Sequence, residues 1–166
     1  MEKNKIYLGD CLELMPKHVE DKSIDMILCD LPYQKTKNKW DTMIPFDKLW
    51  KEYKRVIKDN GIIILFGQKE FSAKVMISNE LMYKYSLVWD KVNPSGHLNA
   101  KRMPMMQHED IMIFYKKPPT YNPQKFKGDA PSHKSSHGNK VKSNGNYGNF
   151  IYSDKTEEYG DMKYPR

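Results

Sequence analysis

The chain has 166 residues, enough for one ordinary domain with a hydrophobic core, and its 39% hydrophobic and 30% charged residues are typical of a soluble protein. No apolar run approaches the roughly 20 residues of a membrane-spanning helix, and the first ten residues lack the apolar core of a signal peptide, so we expect a cytoplasmic protein without a membrane partner. Its two cysteines, Cys11 and Cys29, exclude a disulfide framework and a four-cysteine zinc site.

Positive charge is concentrated in the last third of the chain. Lys and Arg outnumber Asp and Glu by 28 to 21, for a net charge of +7. Residues 116–166 hold ten basic and five acidic residues, whereas residues 1–115 hold 18 and 16. This excess indicates a polyanionic partner, or serves solubility alone.

Predicted strands and helices alternate over the first 115 residues, which favours a layered α/β sheet. In chain order these elements are a strand at Ile6–Leu8, a helix at Leu12–His18, a strand at Met26–Cys29, a helix at Phe46–Lys58, a strand at Gly61–Gly67, a helix at Phe71–Met82, and strands at Tyr85–Trp89 and Asp110–Tyr115. The spacing of three and four between apolar residues predicts the helix at Phe46–Lys58, with Asn60-Gly61 as its end. The continuous apolar run at Gly61–Gly67 predicts a strand covered on both faces, as in a parallel sheet.

The composition changes after Lys117-Pro118-Pro119, so we divide the chain into two segments, 1–117 and 118–166. The second segment is rich in glycine, lysine, serine and asparagine and has few aliphatic residues, which predicts a loop-rich, partly disordered region that a partner could order.

A carboxylate, a proline and an aromatic ring stand together in Asp30-Leu31-Pro32-Tyr33, directly after the predicted strand at Met26–Cys29. Open α/β sheets bind ligands at the carboxyl ends of such strands. The alternative is a strand that ends in an ordinary proline turn, with Asp30 capping the next segment.

The tetrapeptide resembles the Asp-Pro-Pro-Tyr motif of S-adenosylmethionine-dependent DNA amino-methyltransferases, in the permuted order that places the catalytic motif before the cofactor motif. The resemblance to phage and prophage members covers nearly the whole chain. It rests on Tyr7-Leu8-Gly9-Asp10-Cys11, Lys39-Trp40-Asp41, Pro45-Phe46, Gly61–Gly67, Asn99-Ala100-Lys101, Met103-Pro104, His108-Glu109-Asp110, Phe114-Tyr115-Lys116 and Tyr121-Asn122-Pro123-Gln124.

The resemblance implies catalytic roles for Asp30, Leu31, Pro32 and Tyr33. An exocyclic amino nitrogen is a poor nucleophile, because its lone pair is delocalised into the base ring. Hydrogen bonds from its N–H groups to the Asp30 carboxylate and the Leu31 carbonyl favour a more nucleophilic form, while Pro32 stiffens the turn. Tyr33 offers a face for a base extruded from the duplex. Methyl transfer is then a direct displacement on the sulfonium, and the Pro-Cys dipeptide of cytosine carbon-5 enzymes is absent.

An aspartate at the first motif position goes mostly with adenine N6 in this family, and a serine with cytosine N4, so the resemblance implies adenine. Two residues depart from the pattern. Leu31 replaces the first proline, which keeps the carbonyl but loosens the turn, and Gln34 stands where relatives usually carry glycine.

The family likeness also implies that Asp10, Cys11 and Asp30 contact S-adenosylmethionine, although Asp10 would equally serve as a plain helix N-cap. Lysines and neighbouring polar residues become candidate contacts to double-stranded DNA, or belong to solvated faces. These candidates are Lys35, Lys37, Lys39, Lys91, Asn99, Lys101 and Arg102, with Lys91 and the last three placed in a loop. His108-Glu109-Asp110 lacks the spacing of a zinc motif, so we expect no metal.

The family's Phe-x-Gly-x-Gly turn, which holds the cofactor, does not occur in these residues, so the chain resembles roughly the first two-thirds of such an enzyme. The resemblance therefore implies an α/β fold: a Rossmann-like methyltransferase sheet, incomplete without the cofactor-motif strands, followed by a loop-rich basic segment at 118–166 that would recognise the target DNA sequence. The strand at Met26–Cys29 should have an open, apolar edge. We expect weak or no binding of S-adenosylmethionine by this chain alone, and a homodimer or a complementing C-terminal fragment as partner.

Three functions remain open at this stage. The first is a DNA adenine methyltransferase, incomplete as this chain alone. The second is a non-catalytic nucleic-acid-binding remnant or a subunit of a split methyltransferase. The third is a general α/β domain whose basic segment only improves solubility.

Overall fold

The computed structural model describes residues 4–127 and 162–163, and the chain divides into two compact units, 1–120 and 121–166. The helices are α1 (Cys11–His18), α2 (Phe46–Val56) and α3 (Lys69–Ser78), with a short 3-10 helix at His97–Asn99. The strands are β1 (Ile24–Asp30), β2 (Ile57–Gly67), β3 (Tyr83–Ser95), β4 (Met106–Phe114), β5 (Phe126–Lys127) and β6 (Met162–Lys163). No helix in this described part is long and apolar enough to cross a membrane.

The first unit is built on a four-stranded sheet in the order β1-β2-β4-β3. β1 and β2 are parallel, with Cys29 opposite Leu65, while β4 is antiparallel to both β2 and β3. The apolar run of β2 resembles strands of a parallel sheet, but only one of its two neighbours, β1, is parallel to it. Because β4 runs against β2, its first residues lie at the same edge of the sheet as the carboxyl ends of β1 and β2.

One face of the sheet carries the core. Alternate residues of β2 and β4 are buried there with side chains from α2 and α3, as the period-two pattern of a strand requires. The main contributors are Leu49, Trp50, Tyr53, Ile63, Leu65, Phe71, Val75, Met112 and Phe114. This face fixes the position of α3, which starts two residues after β2 ends.

The opposite face of the sheet is apolar but only partly covered. The register places Leu28 beside Ile64, Ile113 and Tyr85 in one row, and the next row continues with Phe66, Ile111 and Leu87. Leu28 is 57% exposed, and Met26, Tyr85, Leu87 and Trp89 are similarly exposed. Within the described residues β1 is an edge strand, as the sequence predicted.

The strand predicted at Ile6–Leu8 does not form. These residues are irregular, with Ile6 95% and Leu8 100% exposed. A single short strand has no stability without a hydrogen-bonded neighbour, and no described strand lies beyond β1 to pair with it.

The end predicted for α2 at Asn60-Gly61 is also wrong, because the helix ends at Val56 and β2 begins at Ile57. Residues 58–61 form an irregularity in β2 where the register with β1 shifts between Ile24 and Met26. A Cβ atom on Gly61 would lie 2.9 Å from the Asp25 carbonyl oxygen. Gly61 is therefore required for close approach of two strands rather than for a helix end.

The structure describes residues 121–127 and 162–163 of the second unit, where β5 pairs antiparallel with β6. The predicted disorder of residues 118–166, and their proposed role in recognising a DNA sequence, fall mostly outside the described residues.

Candidate active site

Asp30 is the last residue of β1 and lies at the carboxyl edge of the sheet, opposite Phe66 of β2. Its side chain is exposed and stands on the partly covered face. The next residue, Leu31, is buried in the core and anchors the backbone directly after the carboxylate. Because the Asp30 side chain itself is exposed, a ligand can reach it from the partly covered face of the sheet.

Tyr33 is half-buried beside Asp30. Its ring centroid lies 4.5 Å from that of Phe71 in α3, and its hydroxyl donates a hydrogen bond to Asp30 Oδ1 over 2.7 Å. Burial, followed by the hydrogen bond to the anionic Asp30, raises the pKa of Tyr33 far above its ordinary value. Tyr33 is therefore a neutral hydrogen-bond donor at physiological pH, with its ring supported from behind by an aromatic neighbour.

The loop after Tyr33 is held by a buried carboxylate. Asp41 is only 7% exposed, and its oxygens accept the backbone N–H groups of Gln34 (2.8 Å), Lys35 (2.8 Å) and Thr36 (2.6 Å). These bonds, the one from Thr36 foremost, lower the pKa of Asp41 below its usual range. Gln34 has a φ of 57°, in the left-handed region that glycine adopts more readily than other residues.

A chain of polar side chains borders the same edge. The Lys35 ammonium lies 5.1 Å from the Tyr33 ring centroid and donates to Gln68 Oε1 over 3.4 Å. The Gln68 amide donates in turn to Glu109, which also forms an ion pair with Lys91. Partial burial and the neighbouring Lys69 lower the pKa of Lys35. The edge thus combines acceptors, donors and an aromatic face, the set needed to bind a planar polar ring.

Sequence reasoning did not predict the contacts that Gln68, Glu109 and Asp41 make at this edge. Gln68 and Glu109 are 41 residues apart and meet only because β4 pairs with β2. Asp41 was noted within Lys39-Trp40-Asp41, but only as part of a resemblance, and no pattern predicted that it would bond to the loop before it.

Of the residues proposed for the cofactor, Asp30 lies at this edge, and Asp10 and Cys11 lie at the start of α1. Asp10 is the N-cap of α1, with Oδ1 accepting from Leu12 N over 2.8 Å, so the plain capping role is observed. The pKa of the Cys11 thiol is raised by burial and by the electrostatic influence of Asp10 and Cys29. The role of Asp10 and Cys11 in cofactor binding stays a prediction.

The proposed DNA contacts fall into three groups. Lys35, Lys37 and Lys39 are exposed on the loop held by Asp41. Asn99, Lys101 and Arg102 are exposed in the turn between β3 and β4, which leaves the sheet at the same edge. Lys91 was expected in a loop, and that placement is wrong: it belongs to β3 and is largely covered in its ion pair with Glu109.

In the part of the chain that the structure describes, no three His, Cys, Asp or Glu side chains are grouped to hold a metal ion.

Solved structures with the same fold are DNA methyltransferases. The chain resembles PvuII DNA methyltransferase (cytosine-N4-specific) with a TM-score of 0.56 and 15% identity, over 70% of this chain and 50% of that one. It resembles the M1.HpyAVI–SAM complex with a TM-score of 0.54 and 20% identity, and the match covers 75% of this chain and 62% of that one. At these identities the likeness establishes the fold, an incomplete methyltransferase sheet, as expected from the sequence.

Sequence comparison identifies the family. Residues 24–164 match the DNA methylase family N6_N4_Mtase, and the chain belongs to it. Among curated proteins it is 29% identical to the type II methyltransferase M1.MboII of Moraxella bovis, over 70% of this chain and 47% of that protein. It is 28% identical to M2.MboI of the same organism, over 58% and 44%. The chain therefore spans about half the length of the curated relatives it matches.

Proposed function

We propose that this chain carries the target-base site of an enzyme that transfers a methyl group from S-adenosylmethionine to the exocyclic N6 of adenine in DNA. The observation that carries the proposal is the exposed Asp30 carboxylate at the end of β1, directly beside the supported ring of Tyr33. Family membership supplies the reaction class, and the residues at this edge supply the groups that such a reaction needs.

The chain's own residues would bind and orient the base. An Asp30 oxygen and the Leu31 carbonyl accept the two hydrogens of the amino group, which directs the nitrogen lone pair away from the ring. The Tyr33 ring provides the stacking face for a base that has left the duplex. Since Tyr33 already donates to Oδ1 of Asp30, the incoming amino group uses Oδ2 or displaces the tyrosine hydroxyl.

S-adenosylmethionine would supply the methyl group, but the described residues fit only part of a site for it. Asp30 offers a carboxylate at the end of β1, whereas one oxygen of Asp10 is already engaged by α1. The glycine-rich turn that would allow close approach of the cofactor is absent from the sequence. We therefore propose that residues other than the described ones complete its pocket.

The open sheet is the surface on which the completing part would pack. Among the described strands β1 has one unpaired edge, and on the partly covered face Leu28 and Leu87 are each more than half exposed. A second copy of the chain or a complementing polypeptide from the same fold would bury this surface.

Adenine is proposed over cytosine because the first motif residue is aspartate, while the matched family includes both N6 and N4 enzymes. Duplex DNA is the proposed partner because Lys35, Lys37 and Lys39 are exposed on the loop that follows Tyr33. Asn99, Lys101 and Arg102 are exposed in the turn at the same edge of the sheet.

Methyl transfer from labelled S-adenosylmethionine to unmethylated DNA tests the proposed reaction. The assay uses the chain with and without a polypeptide that carries the glycine-rich turn of a relative. We expect transfer to N6 of adenine on complementation and at least a thousandfold loss, about 4 kcal/mol, in Asp30→Ala. Equal transfer by wild type and Asp30→Ala would remove Asp30 from the reaction. Salt-sensitive DNA binding without transfer under any complementation would favour the non-catalytic DNA-binding protein, which the missing cofactor turn supports.

A binding assay separates the two base specificities. The probes are duplexes with one unpaired base opposite an abasic site, flanked by randomised sequence, because an unpaired base is the easiest to extrude. Fluorescence anisotropy then compares adenine, cytosine and purine, which is adenine without its amino group. The proposal predicts tightest binding to adenine, and a preference for cytosine would move the assignment to N4.

A further inference from the structure

The two ends of the loop from Gln34 to Asp41 are joined by hydrogen bonds to the Asp41 carboxylate. Three consecutive N–H groups, of residues 34–36, donate to Asp41 at 2.6–2.8 Å. The Asp41 N–H donates back to the Asn38 carbonyl over 3.1 Å, and the Asn38 N–H donates to Thr36 Oγ1 over 3.3 Å. Residues 34–36 are therefore bonded directly to the Asp41 side chain, and Asn38 is linked to it through Thr36.

The arrangement stabilises a backbone conformation that the loop would not keep unaided. Gln34 is in the left-handed region with a φ of 57°, which is unfavourable for any residue with a Cβ atom. Such conformations persist where surrounding bonds impose them, and they concentrate at functional sites. Here the imposing bonds come from Asp41, and the strained residue directly follows Tyr33.

The backbone of residues 34–36, which Asp41 binds, lies next to the side chains proposed to contact the target base. Tyr33 precedes the first bonded N–H group, and Lys35, which donates the second, extends its ammonium to 5.1 Å from the Tyr33 ring centroid. Displacement of the 34–36 backbone would therefore move the end of the stacking residue and the cation beside it together.

We propose that Asp41 is a positioning residue of the target-base site, which holds Tyr33 and Lys35 in the arrangement that accepts an extruded base. This inference rests on the proposed function, because it assigns to Asp41 a purpose at that site. Asp41 does not touch the base; it acts through the backbone of residues 34–36.

The chemistry requires an aspartate. A carboxylate presents two acceptor oxygens and no donor, so it satisfies three converging N–H groups. An asparagine of the same shape has one acceptor oxygen, and its NH₂ group would face at least one backbone N–H. Asp41→Asn is thus a conservative change in volume that opposes the hydrogen-bond pattern directly.

The test uses the whole chain with Asp41→Asn and the matched control Asp47→Asn, an exposed aspartate in the first turn of α2. Hydrogen exchange of the amides of residues 34–36 is measured first, and we expect it to accelerate about tenfold or more in Asp41→Asn only. The second measurement is the ratio of affinities for the unpaired-adenine duplex and the same duplex fully paired. We expect this ratio to fall about tenfold in Asp41→Asn and to stay within about twofold in Asp47→Asn.

Unchanged exchange at residues 34–36 overturns the inference, since Asp41 then does not hold the loop. Faster exchange with an unchanged affinity ratio also overturns it, because Asp41 then has only a structural role. If Asp41→Asn does not fold by circular dichroism, Asp41→Glu, which keeps the charge and adds one methylene, replaces it with the same expectations.

Failure of the proposed function has a different signature. If the wild-type chain binds unpaired adenine and unpaired purine with equal affinity, there is no site for the amino group at this edge. The same conclusion follows if the preference for unpaired adenine is unchanged in both Asp30→Ala and Tyr33→Ala. The inference about Asp41 then falls together with the proposed function, whereas a wild-type preference lost in those two variants and kept in Asp41→Asn removes the inference alone.

Discussion

The Tyr33 hydroxyl and the Asp30 carboxylate are hydrogen-bonded to each other over 2.7 Å. The two side chains proposed to hold the base therefore already satisfy part of each other's hydrogen-bonding capacity. An incoming amino group meets one free Asp30 oxygen and one that is occupied by a neutral phenol.

Removal of the Tyr33 hydroxyl should strengthen binding of the base. Tyr33→Phe keeps the ring against Phe71 and frees Asp30 Oδ1, so we expect affinity for the unpaired-adenine duplex to rise about two- to tenfold, the range of one net hydrogen bond. Tyr33→Ala, which also removes the stacking face, should weaken it by a similar or larger factor. Fluorescence anisotropy measures both. Weaker binding by Tyr33→Phe would mean that the hydroxyl orients Asp30 rather than competes for it.

The same hydrogen bond predicts an alkaline pH dependence. Burial and the adjacent Asp30 raise the pKa of Tyr33 above the ordinary 10.0. A raised pKa in the folded protein means that the neutral phenol stabilises the fold fully below pH 10 and that this contribution is lost only as the pH rises through the higher folded value. We expect the Tyr33 resonance, assigned through Tyr33→Phe, to stay unshifted past pH 10 in carbon-13 tyrosine NMR. Titration at or below pH 10 would contradict the buried, bonded state.

Local signals predicted most elements of the fold, because they depend on side-chain period and turn residues. The apolar spacing in α2 and the apolar run in β2 both identified real elements. The errors came from long-range contacts. Gly61 read as a helix end, yet it lies beside the Asp25 backbone, and Ile6–Leu8 read as a strand although nothing described pairs with it.

In the candidate site too, local sequence predicted the residues that are close in the chain but not the contacts between distant ones. Asp30 and Tyr33 are three residues apart, so one short motif predicted both, and the structure brings them into contact. Glu109 and Lys91 reach the edge only through the β3–β4 pairing, and no local pattern encodes that register. The unusual Gln34 was visible in the sequence, but its left-handed φ and the carboxylate that holds it required coordinates.

Glycine at position 34 should stabilise the chain. Gln34→Gly removes the steric cost of a φ of 57°, and the gain exceeds the extra unfolded-state entropy of glycine. We expect the free energy of unfolding to rise by about 0.5–1 kcal/mol, measured by urea titration. The control is Gln124→Gly, which changes an exposed glutamine without a positive φ. A loss of stability in Gln34→Gly would show that the glutamine side chain contributes more than the backbone strain costs.

Substitutions that remove buried side-chain atoms from β2, an inner strand of the sheet, should lower stability strongly. Leu65 is 0% exposed between β1 and β4, so Leu65→Ala leaves a cavity and should lower the free energy of unfolding by about 2–5 kcal/mol. Leu81→Ala, at a residue that is 89% exposed, should change it by less than about 0.5 kcal/mol. Comparable effects of the two substitutions in urea titrations would contradict the placement of the core between the sheet and helices α2 and α3.

The partly covered sheet face should drive self-association of this chain in isolation. Leu28 lies on that face at the open edge of the sheet and is 57% exposed, so a charge there would be desolvated in any complex that buries β1. We expect sedimentation velocity to give a mass that increases with concentration for the wild-type chain and a monomer mass for Leu28→Glu. Leu81→Glu adds the same charge at an exposed leucine after α3 and should associate like the wild type. If the wild-type chain stays monomeric up to its solubility limit, the exposed face is not a self-association surface. The same holds if Leu81→Glu dissociates as fully as Leu28→Glu.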